Sequence, residues 1–277
     1  MNPGTPFLRK IGVNLFVLLM IITILASGCS FDLGGLAQNT PTAKAPPVSN
    51  NQNLPMAMVT FIVNVPSTAP PGDIGLELLD EVTGLALNPQ RYKMTEEKPG
   101  VYTVQIPITV GSVIKYRYLR QENTLGIEYT SFGNQVRYRM AVIQGPMLLQ
   151  DTVTAWTDYR YPDGTGKISG QVVNAETNTP VPSALVVCAG SQTLTASDGS
   201  FLLEGIVPGT HNVVVYSMDG AFQPFQQGAL VAENASTSAF IQLIPADKVK
   251  VTFVVQIPES NIAGLPVRMI GNTAALG

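Results

Sequence analysis

The chain has 277 residues, of which 45% are hydrophobic and 13% are charged, and it contains 25 glycines and 21 prolines. This composition indicates a globular, turn-rich chain that is long enough for about two domains. The net charge of −3 argues against nucleic acid or an anionic membrane surface as the main partner, because either would require a basic stripe.

The first 28 residues have the three parts of an export signal. Arg9 and Lys10 provide a basic start, residues 11–25 form an apolar stretch, and the small residues 26–28 lead directly into Cys29. The apolar stretch is short for a membrane-spanning helix, which needs about 20 apolar residues. Its length suits the apolar core of a secretory signal.

The end of this segment, LASGC, resembles the lipobox of bacterial lipoproteins, with Leu25 one position further upstream than in the most common pattern. The resemblance implies that residues 1–28 are a lipoprotein signal peptide and that Cys29 carries a diacylglycerol. Two acyl chains, at about 0.8 kcal/mol per buried methylene, are enough for stable anchoring. The alternative is an uncleaved anchor helix. Both interpretations place the rest of the chain at the cell membrane on its extracellular side, or in the periplasm of a cell with two membranes.

Residues 29–56 follow as a tether that begins at the lipidated cysteine. The segment is rich in Pro, Thr, Asn, Gly and Ala, and it has too few large apolar side chains to offset the entropy cost of ordering. We expect a disordered spacer. The second of the two cysteines, Cys188, then has no disulfide partner, and its apolar neighbours predict a small buried core residue.

Residues 57–246 have the pattern of strands and turns, without helical periodicity. The first strand presents one apolar face, formed by Val59, Phe61, Val63 and Val65. Similar segments follow, so we predict an all-β chain of tandem antiparallel β-sandwiches after the signal segment and linker. The segment YRYPDGTG at 159–166 interrupts the pattern, and we place a linker there between separate sandwiches at 57–158 and 167–246.

The second sandwich contains G-x-V, P-V-x-x-A-x-V, A-S-D-G-S-F and G-I-x-P-G-x-H-x-V-x-V, a spacing that resembles the carboxypeptidase regulatory-like family. The matching positions are Gly170, Val172, Pro180, Val181, Ala184, Val186, Asp198, Gly199, Phe201, Leu203, Gly205, Gly209, Val213 and Val215. The resemblance implies a seven-stranded, transthyretin-like sandwich with no catalytic machinery. Residues 197–200 also predict a hairpin turn, in which Gly199 supplies a positive φ.

An internal repeat relates the first strand to the end of the chain. VTFIVNVP at 59–66 returns as VTFVVQIP at 251–258. Because one strand is not stable without partners, we expect residues 247–277 to be the first strands of a truncated third module and the polypeptide to continue beyond residue 277. The alternative is an extra strand on the second sandwich with a frayed end.

The motifs V-T-F-x-V-x-V-P, V-Y-x-V-x-I-P and V-I-K-Y-R-Y-x-R, with M-I-G-N-T-A-A-L-G in the second copy, resemble the first half of a starch-binding-like sandwich module. Starch sites in that family rest on exposed aromatic rings, usually tryptophans. The single tryptophan, Trp156, is the one ligand-binding candidate, although a core or edge position is favoured. Tyr116 and Tyr118 are expected in the core.

No catalytic motif is present in the sequence. The single histidine, His211, excludes a His-rich zinc site, and no G-x-S-x-G, phosphate-binding glycine loop or H-E-x-x-H occurs. Asp73, Glu77, Asp80 and Glu81 would suit Ca²⁺ if they converge, although a solvated acidic rim is favoured. We predict no catalytic residue, metal ion or cofactor.

Three functions remain open. The favoured one is a non-catalytic, lipid-anchored surface protein whose sandwiches bind or present a ligand, with a polysaccharide or other surface glycan as the first candidate. The second is a structural spacer, and the third is an accessory region of a longer surface enzyme for glycan or peptide breakdown. Aromatic residues make up only 7% of the chain, so we predict that residues 57–246 bind starch no tighter than about 1 mM.

Overall fold

The structure is a computed structural model that describes residues 54–66, 72–121, 125–247, 250 and 252–254. These residues contain strands and turns and no helix, so the predicted all-β fold class is confirmed. The strands are β1 (Met56–Asn64), β2 (Asp73–Leu78), β3 (Gln90–Lys93), β4 (Thr95–Lys98), β5 (Val101–Thr109), β6 (Val113–Gln121), β7 (Leu125–Ile127), β8 (Arg139–Val142), β9 (Met147–Thr152), β10 (Ala155–Trp156), β11 (Tyr159–Arg160), β12 (Gly166–Asn174), β13 (Leu185–Cys188), β14 (Ser191–Leu194), β15 (Ser200–Ile206), β16 (Gly209–Tyr216), β17 (Phe225–Val231) and β18 (Ser236–Leu243).

The first sandwich consists of two sheets that enclose an apolar core. One sheet has the order β4-β5-β1-β9, and the other has the order β3-β2-β6-β7, with β8 also paired to β6. The alternation predicted for β1 is confirmed, because Val59, Phe61 and Val63 are fully buried in this core. Tyr116 and Tyr118 of β6 lie in the same core, where Phe61 packs edge-on against Tyr116.

The second sandwich contains seven strands between residues 166 and 243. One sheet has the order β15-β12-β18, and the other has the order β14-β13-β16-β17. Its core is mainly aliphatic and includes Cys188, which is buried as predicted.

The two sandwiches share one strand plan. In each, the first strand lies between an antiparallel neighbour and the last long strand of the sandwich, which runs parallel to it. β1 therefore pairs with β5 and β9, and β12 pairs with β15 and β18. The tandem sandwiches are antiparallel as predicted, except for these two parallel pairs of first and last long strands, which we call the parallel closures.

The turn at residues 197–200 was expected to form a hairpin, and this detail is wrong. Gly199 does adopt a positive φ of 76°, and the backbone N–H of Ala196 donates to the carbonyl of Ser200. However, β14 and β15 on either side of the turn lie in different sheets. The turn is a corner between sheets, because a tight turn fixes the change of direction and does not fix the pairing partner.

Several predicted features lie outside the described residues. They are the signal peptide, Cys29, most of the tether and, apart from residues 252–254, the second copy of the repeat. In the described part of the chain, no helix has the length and apolar character needed to cross a membrane.

Candidate functional site

Strand β8 is buried on both faces, and this places it between the two sandwiches. Arg139 and Ala141 face the core of the first sandwich, where they pair with Tyr116 and Ile114 of β6. Met140 and Val142 face the other way and pack against the second sandwich. The apolar cluster at this junction consists of Leu79, Tyr138, Met140, Val142, Leu185, Val187 and Val214.

Hydrogen bonds from side chains to backbone also join the sandwiches. The Gln226 side chain on β17 accepts from the N–H of Val142 at 2.8 Å and donates to its carbonyl at 3.4 Å. Gln192 Nε2 donates to the carbonyl of Tyr138 at 3.0 Å. Because these bonds satisfy backbone groups that pairing with β6 leaves open, the junction is specific as well as apolar.

A groove of about 760 Å³ opens beside this junction and is lined in part by Met140 and Leu185. Its volume falls in the range of small-molecule sites, roughly 300–1,000 Å³. The remaining lining combines charged, hydroxyl and apolar side chains from both sandwiches. They include Glu81, Ser112, Lys115, Arg137 and Tyr138 of the first sandwich, and Thr193, Leu194, Tyr216 and Met218 of the second.

Two cations lie against one aromatic ring in the groove. Lys115 Nζ lies 5.1 Å from the centre of the Tyr138 ring, and Arg137 Cζ lies 5.6 Å from it. Lys115 also donates to the carbonyl of Val82 at 2.7 Å. Burial lowers the pKa of Lys115, and the nearby charge of Asp80 opposes this effect. The groove therefore holds a partly desolvated ammonium beside an exposed guanidinium.

A sealed ionic network lies under this region, in the core of the first sandwich. Arg139 pairs with Glu128 at 2.8 Å and with Asp151 at 2.8 Å, and all three side chains are nearly inaccessible. The second oxygen of Asp151 accepts from the hydroxyls of Tyr116 and Tyr118 at 2.8 and 2.9 Å. Burial raises the pKa of both tyrosines, and the charge of Asp151 raises it further. Since no face of this network is open, its role is structural.

The pKa of Arg139 reflects the same balance. Burial alone would lower it, but the charges of Glu128 and Asp151 raise it well above the usual value. The guanidinium therefore stays charged, which the two buried carboxylates require.

The acidic residues considered for Ca²⁺ are separated by their partners. Glu77 is fully buried and paired with Arg91 and Arg117, so it does not belong to a solvated rim. Asp73 pairs with Lys93, and Asp80 accepts from the backbone and hydroxyl of Thr83. Among the described residues, no group of three or more His, Cys, Asp or Glu converges as a metal site.

The aromatic candidate Trp156 lies in the first core with 2% of its surface exposed. The guanidinium of Arg120 lies 5.3 Å from the ring centre. In this position neither ring face is available to a sugar, which agrees with the core position favoured above.

His211 is equally enclosed. Its Nε2 donates to the carbonyl of Val207 at 2.7 Å, only 2% of the residue is exposed, and burial lowers its pKa. Burial also raises the pKa of the Cys188 thiol to about 12, so the thiol is not a reactive nucleophile.

Local sequence patterns do not predict the groove, because it lies between two sandwiches that were expected to be separate. One signal was available: residues 140–143 and the run of β13 are apolar at every position rather than at alternate ones. Such runs indicate strands covered on both faces.

No family model matches the chain, and no curated protein matches it. A solved minor pilin of Streptococcus agalactiae is 12% identical, with 72% of this chain and 100% of that chain covered and a TM-score of 0.27. A shaft pilin from Lactobacillus rhamnosus is 8% identical over 71% of this chain and 100% of that chain, with a TM-score of 0.26. A glucoamylase of Hormoconis resinae is 16% identical over 35% of this chain and 17% of that chain, with a TM-score of 0.26. At such low scores these similarities carry no argument about function.

Proposed function

We propose that this chain is a lipid-anchored, non-catalytic surface protein whose two sandwiches together bind a ligand in the groove at their junction. A surface glycan is the first candidate. The observation that carries the proposal is the groove itself, because residues of both sandwiches line it and the packed junction keeps them in place. A preformed site of this kind needs little ordering when a ligand binds.

We propose a non-catalytic role because the side chains that usually react in enzymes are buried. His211, Cys188 and Asp151 are all buried and engaged in contacts within the cores. The groove offers Lys115 and Glu81 as its titratable groups beside Arg137 and the tyrosines, without a nucleophile and base in contact. This arrangement favours binding over group transfer.

Lipid anchoring is tested by feeding radiolabelled palmitate to bacteria that express the chain. We expect label on the protein and its loss in Cys29→Ser. Cys188→Ser is the matched control, because it removes the other of the two cysteines and should keep the label. Label that persists in Cys29→Ser would remove the anchoring proposal.

Glycan binding at the groove is tested by calorimetry with a panel of oligosaccharides and the full chain in detergent. Leu194→Trp places a bulky side chain in the groove and should weaken binding about ten-fold, or about 1.4 kcal/mol. Leu230→Trp is the control, since Leu230 is 70% exposed on β17 outside the groove. Equal affinities in both variants would place the ligand elsewhere.

A second candidate function is that of a rigid spacer. It is favoured by the junction, where an apolar cluster and the reciprocal bonds between Gln226 and Val142 join the sandwiches. Spin labels on Glu97 and Leu230, one on each sandwich, should give a narrow distance distribution. If the distribution is narrow and no glycan binds, the spacer is the better description.

A further inference from the structure

We propose that the groove selects acidic saccharides, in which sugar rings carry carboxylates, over neutral ones such as starch. This inference deepens the proposed function and rests on it. Its basis is the juxtaposition of Lys115, Arg137 and Tyr138 at the junction of the two sandwiches.

The charge of the groove is opposite to that of the chain. The whole chain carries a net charge of −3, whereas the groove lining contains Lys115 and Arg137 against the carboxylate of Glu81. Asp80 lies outside the lining, and its charge acts on Lys115, so Arg137 is the cation that a ligand meets with the least compensation. Within the part of the chain that the structure describes, neither cation forms an ion pair. Their contacts are the Tyr138 ring and, for Lys115, the carbonyl of Val82.

These contacts hold the two cations and leave donors for a ligand. An ammonium has three donors and a guanidinium has five. The carbonyl of Val82 takes one donor of Lys115, and the Tyr138 ring centre lies 5.1 Å from its Nζ. Lys115 is buried, with 8% of its surface exposed, and Asp80 offsets part of the desolvation of its ammonium. A ligand anion at the groove would add to that stabilisation.

Charged hydrogen bonds can also contribute more to the free energy of ligand binding than neutral ones. A neutral sugar hydroxyl exchanges bonds with water for bonds with protein, and the net gain per bond is only about 0.5–1.5 kcal/mol. Tyr138 is 6% exposed, so it offers no open ring for stacking. Hydrogen bonds to an ionised partner are roughly twice as strong as neutral ones.

The rest of the lining suits a sugar that carries the charge. Ser112 and Thr193 provide hydroxyls, and Leu194 and Met218 provide apolar surface for the C–H face of a ring. Leu194 and Met218 are 53% and 60% exposed, so a ligand can reach them without a rearrangement of the fold. An acidic peptide also carries carboxylates, and the experiment below separates the two classes.

The test is calorimetry on the full chain in detergent with three ligands of seven units each: hepta-galacturonate, maltoheptaose and hepta-glutamate. We expect hepta-galacturonate to bind at least about ten-fold tighter than maltoheptaose, with an affinity that falls as salt is added. Arg137→Gln should weaken hepta-galacturonate binding about ten-fold and weaken maltoheptaose binding by a smaller factor, because only the first ligand loses a charged partner. Arg160→Gln is the matched control, because Arg160 is exposed on β11 and lies outside the groove lining.

Each other outcome contradicts a specific step. Equal binding of hepta-galacturonate and maltoheptaose, with both lost in Leu194→Trp, overturns the charge inference and keeps the groove as a glycan site. Hepta-glutamate that binds as tightly as hepta-galacturonate overturns the choice of a sugar. Unchanged hepta-galacturonate binding in Arg137→Gln shows that the anion binds elsewhere. If neither saccharide binds, the proposal of glycan binding is itself wrong.

Discussion

The two sandwiches use one strand plan but stabilise their cores in different ways. Every ion pair between described residues lies between positions 73 and 158, in the first sandwich, and Glu77, Glu128 and Arg139 are buried there. The second core is mainly aliphatic, with Ile168, Ile241 and similar side chains around Phe201. The first core therefore depends on specific partners, whereas the second depends on volume and close packing.

The largest effect is expected from Arg139→Met, which leaves Glu128 and Asp151 buried without their cation. We expect a loss of about 3–5 kcal/mol in the free energy of unfolding. Trp156 is the only tryptophan and lies in the first core, so its fluorescence in a denaturant titration reports this sandwich directly. The exposed neighbour variant Arg137→Met should change stability by no more than about 0.5 kcal/mol. Equal effects from both would mean that the network contributes nothing.

The matching test of the second core is Gly170→Ala. A Cβ at this position would overlap the carbonyl oxygen of Ala239, its partner across the β12–β18 pair. Overpacking of this kind costs about 1–3 kcal/mol, or more when backbone must move. Circular dichroism, which reports both sandwiches, should show a lower midpoint. Gly145→Ala is the control, because a Cβ there has no heavy atom within 4 Å.

A smaller effect is expected at the junction. Gln226→Ala removes the partner of the N–H and carbonyl of Val142, at a cost of about 1–3 kcal/mol if both stay buried. We expect the fluorescence and circular dichroism transitions, coincident in the parent chain, to separate as the sandwiches uncouple. Gln227→Ala, next along β17 and without a described hydrogen bond of its side chain, should keep them coincident. Separate transitions in the parent chain would contradict a coupled junction.

The smallest effect concerns pH and is confined to the second sandwich. Burial lowers the pKa of His211 below its ordinary value of 6.5, so the unfolded chain binds the proton more readily than the folded chain. Stability is therefore complete above pH 6.5 and falls as the pH drops toward the folded pKa, by at most about 1.4 kcal/mol per pH unit. His211→Gln should remove this acid-dependent part, measured as the difference between denaturant midpoints at neutral and mildly acidic pH. A variant as acid-sensitive as the parent would contradict it.

Much of the fold was accessible from the sequence because alternation reports burial directly. The inward face of β1, the buried Tyr116 and Tyr118 and the positive φ at Gly199 all follow from local pattern or turn chemistry. The pairing partners of β14 and β15 could not be predicted in this way, because a turn fixes the direction of the chain and long-range packing decides which sheet each strand joins.

The groove was less accessible for a related reason. It requires side chains from β6, β14 and the segment before β8 to meet across a junction that no local period encodes. The burial of Glu77 was equally hard to predict from local sequence. Its two arginine partners lie on β3 and β6, and only these long-range ion pairs make a buried carboxylate tolerable. Only the unbroken apolar runs at residues 140–143 and 185–188 indicated strands covered on both faces.

The parallel closure of each sandwich has a mechanical consequence. When first and last strands lie side by side and run in the same direction, a pull on the two chain ends slides them past each other, so all the bonds between them are loaded together. The ladder spans six residue pairs between β1 and β9 and eight between β12 and β18. Under tension the first sandwich should therefore yield before the second, and each should break in one step rather than peel open rung by rung.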